Sequence, residues 1–142
     1  MERSGGQHVV KSGPVLVGTE GVVRGERFEL WRGASVVVGR SRSCDISLRR
    51  CKAWLAMPED KRGGDRDFKT VSRKHVRITY REPGKIEIED LSSNGTFLDG
   101  SRIERVEVTD LRERSHELLL GTREKFLLEW QPLGEEHQEE SP

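Results

Sequence analysis

The chain is divided into short apolar stretches, each closed by turn residues, and no segment carries the long apolar stripe of a buried helix face. Eleven such stretches can be read: Val15–Val17, Arg27–Trp31, Ser35–Val38, Ile46–Leu48, Val76–Tyr80, Lys85–Glu89, Thr96–Leu98, Arg102–Ile103, Val106–Val108, Glu117–Leu120 and Lys125–Trp130. Val76-Arg77-Ile78-Thr79-Tyr80 and Ile86-Glu87-Ile88-Glu89 alternate apolar and polar residues, the period of a strand buried on one face. Pro83-Gly84, Asn94-Gly95 and Asp99-Gly100 are turn dipeptides set between stretches. Many short strands at this spacing build a sandwich or a barrel. Only 6% of residues are aromatic, so the core must rest on Val, Ile and Leu, which fit strands well. The fold class is all-β, with eleven short strands, mainly antiparallel.

At 142 residues the chain suits one domain with a substantial core. Residues 1–13 are polar and contain glycine, and are expected to form a flexible leader. The body is expected to span residues 14–131, interrupted by a long basic insertion at 49–71. That insertion carries Arg49, Arg50, Lys52, Lys61, Arg62, Arg66 and Lys69 against Glu59, Asp60, Asp65 and Asp67. Two readings stand for it: an idle mobile loop, or a segment docked on the body through Trp54, Leu55 and Met57. Residues 132–142 hold four acids and no Lys or Arg, and are expected to be a disordered acidic tail.

The formal net charge is zero, yet residues 1–80 hold 17 Lys and Arg against 9 Asp and Glu, and the remainder reverses that balance. A basic first half suits an anionic partner. No apolar run is long enough to span a bilayer, and the first residues lack the apolar centre of a secretory signal, so an intracellular protein is expected. Cys44 and Cys51 are then reduced thiols. With His75 they would still lack a fourth zinc ligand and the usual close cysteine pairing, so no metal is expected. There is no P-loop and no Gly-rich nucleotide fingerprint, so no cofactor and no enzyme activity are expected within this chain.

Three short strings remain: Gly39-Arg40, Ser72-Arg73-Lys74-His75 and Ser92-Ser93-Asn94-Gly95-Thr96. Arg40 follows Val36-Val37-Val38-Gly39, where a buried strand runs out into a loop, and Gly39 there allows close backbone approach. Its planar guanidinium fork matches phosphate oxygens. Ser72 offers a hydroxyl and a backbone N–H, and Asn94 an amide that both donates and accepts. Ser-x-x-His without an acid partner or a nucleophile elbow does not make a hydrolase.

In this order, at strand ends, these strings resemble the forkhead-associated (FHA) domain family, and the resemblance runs from about Pro14 to Trp130. It implies an FHA-type β-sandwich that binds phosphothreonine peptides or proteins. It implies that Arg40, Ser72, Arg73, Ser93 and Asn94 contact the phosphopeptide, with Asn94 gripping its main chain. Gly39, His75 and Gly95 would support the site, His75 bracing the loop from behind. Lys69, Thr70 and Lys74 would tune specificity, and the basic insertion would favour acidic residues C-terminal to the phosphothreonine. Nuclear signalling is the family-level setting. Two alternatives stay open: a degenerate module that binds an unphosphorylated partner, and nucleic-acid binding through the basic loop. The second is disfavoured by the zero net charge and the lack of interleaved aromatic and basic residues. The sequence carries no signal for an oligomeric state.

Overall fold

The computed structural model describes residues 11–82 and 84–134. The expected leader up to residue 10, Pro83, and the expected tail from residue 135 lie outside the described residues. Eleven strands form two sheets. They are β1 (Ser12–Glu20), β2 (Arg27–Glu29), β3 (Ser35–Gly39), β4 (Ile46–Ser47), β5 (Val76–Glu82), β6 (Lys85–Asp90), β7 (Thr96–Leu98), β8 (Ser101–Ile103), β9 (Arg105–Val108), β10 (His116–Leu120) and β11 (Glu124–Pro132). One sheet has the order β2-β1-β11-β10-β7-β8 and the other β4-β3-β5-β6-β9. Every pair is antiparallel except β3 with β4.

The alternation read in the sequence sets the core. In β5 and β6, Val76, Ile78, Tyr80, Ile86 and Ile88 are buried, and register places Ile78 opposite Ile88 and Tyr80 opposite Ile86. From the other sheet, Leu118 and Leu120 of β10 join Phe126 and Leu128 of β11, with Leu118 opposite Phe126. Each such side chain contributes about 1.5–3 kcal/mol on burial. A slip of one residue in any of these strands would turn that whole set toward water, so the register is strongly specified.

The sheet runs past both expected limits of the body. Ser12 pairs with Pro132 and Gly13 with Gln131, and the Leu133 N–H donates to the Lys11 carbonyl at 2.7 Å. Leu133 itself is buried.

The insertion is folded. It holds a 3-10 turn at Leu48–Arg50 and three short helices, α1 (Lys52–Leu55), α2 (Glu59–Gly63) and α3 (Arg66–Lys69). Each is too short to show a helical period in the sequence or to be stable alone. Tertiary contacts hold them. The rings of Trp54 and Phe68 stack with centroids 3.7 Å apart, and both are buried in the main core. Leu55, by contrast, is 57% exposed, while Met57 packs against the core. Asp65 caps α3 by accepting from the Phe68 N–H at 3.0 Å and pairs with Arg123 at 3.0 Å. Thr122 donates to Asp67 at 2.8 Å, so α3 is tied to the turn between β10 and β11. The docked reading of the insertion therefore holds, through Trp54 and Phe68.

Candidate functional site

Three segments converge at one end of the sandwich: residues 40–45 after β3, 71–75 before β5, and 91–95 between β6 and β7. The first two are laced by backbone bonds, Arg40 N–H to Ser72 O and Ser41 N–H to Arg73 O at 3.0 Å each, and His75 N–H to Val38 O at 2.8 Å. This lacing needs Gly39, because a Cβ there would lie 2.2 Å from the Arg73 carbonyl oxygen.

His75 is fully buried. Its Nδ1 accepts from the Ser72 N–H at 3.0 Å, so the proton sits on Nε2, which donates to the Gly95 carbonyl at 2.8 Å. Burial holds its pKa below the ordinary histidine value, against the opposing effects of the Gly95 bond and of Asp90. The ring is thus a neutral brace between two segments. The Ser72 N–H, which the sequence left open as a phosphate donor, is committed to that brace. The Ser72 hydroxyl accepts from the Ser93 N–H at 3.1 Å, and its own hydrogen has no acceptor among the described residues.

Asp90, which sequence reasoning did not single out, shapes the third segment. Its Oδ1 accepts from the Ser92 N–H (3.1 Å), the Ser92 hydroxyl (2.6 Å) and the Thr96 hydroxyl (2.7 Å). Burial would raise its pKa, but these bonds outweigh that and hold it low. Gly95 closes the turn at φ +107°, where a Cβ would press on the Arg102 guanidinium at 3.0 Å.

Between these segments lies a cleft of about 510 Å³ lined by Arg40, Ser41, Ser72, Arg73, Lys74, Leu91 and Ser93. Five of the eleven residues singled out from the sequence therefore meet in one place. Arg40 is half-buried, and its Nε donates to the Val71 carbonyl. Its terminal guanidinium nitrogens have no partner among the described residues. Burial, then the charges of Arg49 and Arg73, lower its pKa from the ordinary value.

Asn94 stands beside the cleft. Its Nδ2 donates to the Thr70 carbonyl at 3.0 Å, which fixes the amide orientation and leaves Oδ1 as an acceptor without a partner among the described residues. Thr70 spends its hydroxyl on the Asp67 carbonyl at 2.6 Å. Lys69 lines a different cavity, with Arg40, Arg42 and Arg49.

Arg42 and Arg49 were not singled out as site residues, yet both join Arg40, Ser41 and Arg73 around an adjoining opening. The parallel pairing of β3 with β4 explains this: Gly39 lies opposite Ser47, so both strands run out at the same end. Arg50, next in sequence, is used differently, donating to the carbonyls of Arg42 and Cys44 and so clamping that loop. Among the described residues, no group of three or more His, Cys, Asp and Glu is placed to hold a metal ion. No helix among them is long and apolar enough to cross a membrane.

A two-sheet sandwich with a cationic, serine-lined cleft at its loop end has the form of a binding module. The FHA domain model matches residues 36–121, more than half of the chain, and the chain belongs to the FHA domain family. FHA domains are phosphothreonine-binding modules, not enzymes. The structure is similar to the FHA domain of the CT664 protein from Chlamydia trachomatis, with 26% identity, a TM-score of 0.59, and coverage of 82% of this chain and 95% of that one. It is similar to the FHA domain of an Arabidopsis thaliana hypothetical protein, with 25% identity, a TM-score of 0.62, and coverage of 94% and 98%. A third FHA structure, from work on phosphothreonine-dependent FHA domain interactions, shares the fold at 22% identity and a TM-score of 0.59, covering 87% of this chain and all of that one. No curated protein matches the chain.

Proposed function

We propose that this domain reads phosphothreonine on a partner protein. The observation that carries this reading is the lining of the cleft, in which Arg40, Arg73 and Lys74 supply cations, Ser41, Ser72 and Ser93 supply hydroxyls, and no carboxylate intrudes. A phosphorylated side chain brings a charge of roughly −1.5 to −2 and three strong acceptor oxygens. The free end of the Arg40 guanidinium and the Ser72 hydroxyl hydrogen are suited to those oxygens. Asn94 Oδ1 offers an acceptor to an N–H of the peptide main chain. Such a reader works where kinases act, inside the cell, and the nuclear setting follows from the family resemblance alone.

Preference for threonine over serine rests on more than the methyl group. Burying one methyl-sized group contributes about 0.8 kcal/mol, or about fourfold in affinity. Stronger rejection of phosphoserine requires a pocket that also fixes the side-chain rotamer.

The test is a titration of degenerate phosphothreonine, phosphoserine and unphosphorylated peptide pools against wild type, Arg40→Ala and Ser72→Ala, with thermal unfolding to check that the variants fold. A short peptide loses ordering entropy on binding, so the phosphothreonine pool is expected to bind at about micromolar affinity. Arg40→Ala is expected to weaken it at least about thirtyfold, the loss that follows when one partner of a buried charge pair is removed. Equal binding across the three pools would overturn the reading.

A further inference from the structure

A second group of cations gathers where the insertion meets the loop after β3. A cavity of about 390 Å³ is lined by Arg40, Arg42, Arg49, Arg62 and Lys69, with Glu59 as its one acidic residue. Arg49 and Arg62 are held by contacts other than carboxylates. The Arg49 guanidinium lies 5.4 Å from the Phe68 ring centroid and 6.0 Å from that of Trp54. Arg62 lies 5.8 Å from the Trp54 ring and donates to the carbonyls of Trp54 (3.1 Å), Met57 (2.9 Å) and Leu55 (2.9 Å). Among the described residues, none of the five makes an ion pair. Like charges gathered this way repel one another, and an anion entering among them relieves that repulsion. Guanidinium groups resting on aromatic faces are weakly hydrated, which lowers the desolvation an incoming anion must overcome.

We propose that this cavity is a second anion subsite, taking a further phosphorylated or carboxylate side chain from the same peptide. The inference rests on the reading of the neighbouring cleft as the phosphothreonine site. Arg40 lines both cavities, and the opening formed by Arg40, Ser41, Arg42, Arg49 and Arg73 shares residues with each. An extended peptide advances roughly 3.3 Å per residue, so the second anion belongs within a few residues of the phosphothreonine. A peptide fits better than a nucleic acid. Single strands bind by stacking bases on open aromatic faces, whereas Trp54 and Phe68 are 4% and 2% exposed, with their faces turned to each other and to Arg49 and Arg62.

The experiment is fluorescence anisotropy with a peptide carrying one phosphothreonine and a series in which phosphoserine or aspartate is added at each nearby position on either side. Wild type, Arg49→Gln, Lys69→Glu and Ser72→Ala are compared, with a mixed-sequence single-stranded oligonucleotide as competitor. A second phosphate at one or two adjacent positions is expected to tighten wild-type binding about tenfold. That gain should collapse in Arg49→Gln and in the exposed-site variant Lys69→Glu, whereas Ser72→Ala should weaken both peptides and keep the gain. An equal gain from aspartate supports the subsite and assigns it to acidic side chains. Binding of the singly phosphorylated peptide with no gain at any position overturns the subsite and leaves the phosphothreonine reading standing. Failure of every phosphopeptide to bind overturns both. An oligonucleotide that displaces the doubly phosphorylated peptide at equal or lower concentration overturns the assignment to a peptide.

Discussion

The imidazole of His75 donates to the Gly95 carbonyl at 2.8 Å from a fully buried position, and so fixes the asparagine turn against the serine loop. Ser72, Ser93 and Asn94 owe their relative placement to that bond and to its counterpart from the Ser72 N–H. Replacing His75 by alanine removes a buried ring and strands a donor and an acceptor, a loss of about 2–5 kcal/mol. Urea unfolding should show it, and phosphopeptide affinity should fall in parallel. The folded pKa lies below the unfolded value, so the neutral brace contributes fully above about pH 6.5 and is lost as pH falls through the folded value. Wild type should therefore lose more stability than His75→Ala on acidification through that range.

His116, the other buried histidine among the described residues, titrates in the opposite sense. His116 sits between two carboxylates, Nδ1 to Asp99 and Nε2 to Asp110, each at 2.6 Å. Burial would lower its pKa, but the bonds and charges of Asp99 and Asp110 outweigh burial and raise it. Its contribution is fully present below about pH 6.5 and lost as pH rises through the raised folded value. The carboxylates, held below their ordinary values, set the acid limit of the same latch. Unfolding curves of wild type and His116→Gln from about pH 5 to 9 should converge at the alkaline end.

Gly39→Ala tests the lacing of the first two loop segments. The added Cβ would meet backbone, 2.2 Å from Arg73 O and 3.0 Å from the His75 nitrogen, so no side chain can swing away to accommodate it. A loss of about 1–3 kcal/mol is expected from such overpacking, read as a fall in midpoint on thermal unfolding. Peptide binding should fall further than stability, because the displaced backbone carries Arg40 and Ser72.

Asp65→Ala tests what holds the insertion. It removes the cap on the Phe68 N–H and the pair with Arg123 in one change. A cap is worth about 0.5–2 kcal/mol, so global stability should drop modestly. Limited trypsin digestion should respond more strongly, with faster cleavage at Lys61, Arg62, Arg66 or Lys69 under conditions where wild type resists.

The strands were legible because their signal is local. Alternation in Val76–Tyr80 or Ile86–Glu89 needs only neighbours in the chain, and each of the eleven apolar stretches lies in or overlaps a strand. The motif residues Arg40, Ser72, Arg73, Lys74 and Ser93 were legible as types at loop ends, and the fold brings them to one cleft. The helices of the insertion were not legible. Four or five residues carry no period, and what stabilises them is the stacking of Trp54 on Phe68 across thirteen intervening positions.

Sequence by itself determined the strands, which of their residues turn to the core and the residue types offered to an anion, because those follow from side-chain alternation and from the chemistry of individual groups. Only the tertiary structure decided which of those groups remain available. It committed the Ser72 N–H to His75 and the Asn94 amide nitrogen to Thr70, since buried and half-buried polar groups must find partners. It also brought Arg42 and Arg49 beside Arg40 through the parallel pairing of β3 and β4. Strand pairing joins residues that the chain keeps apart, and the electrostatic field of the site is a sum over those pairings.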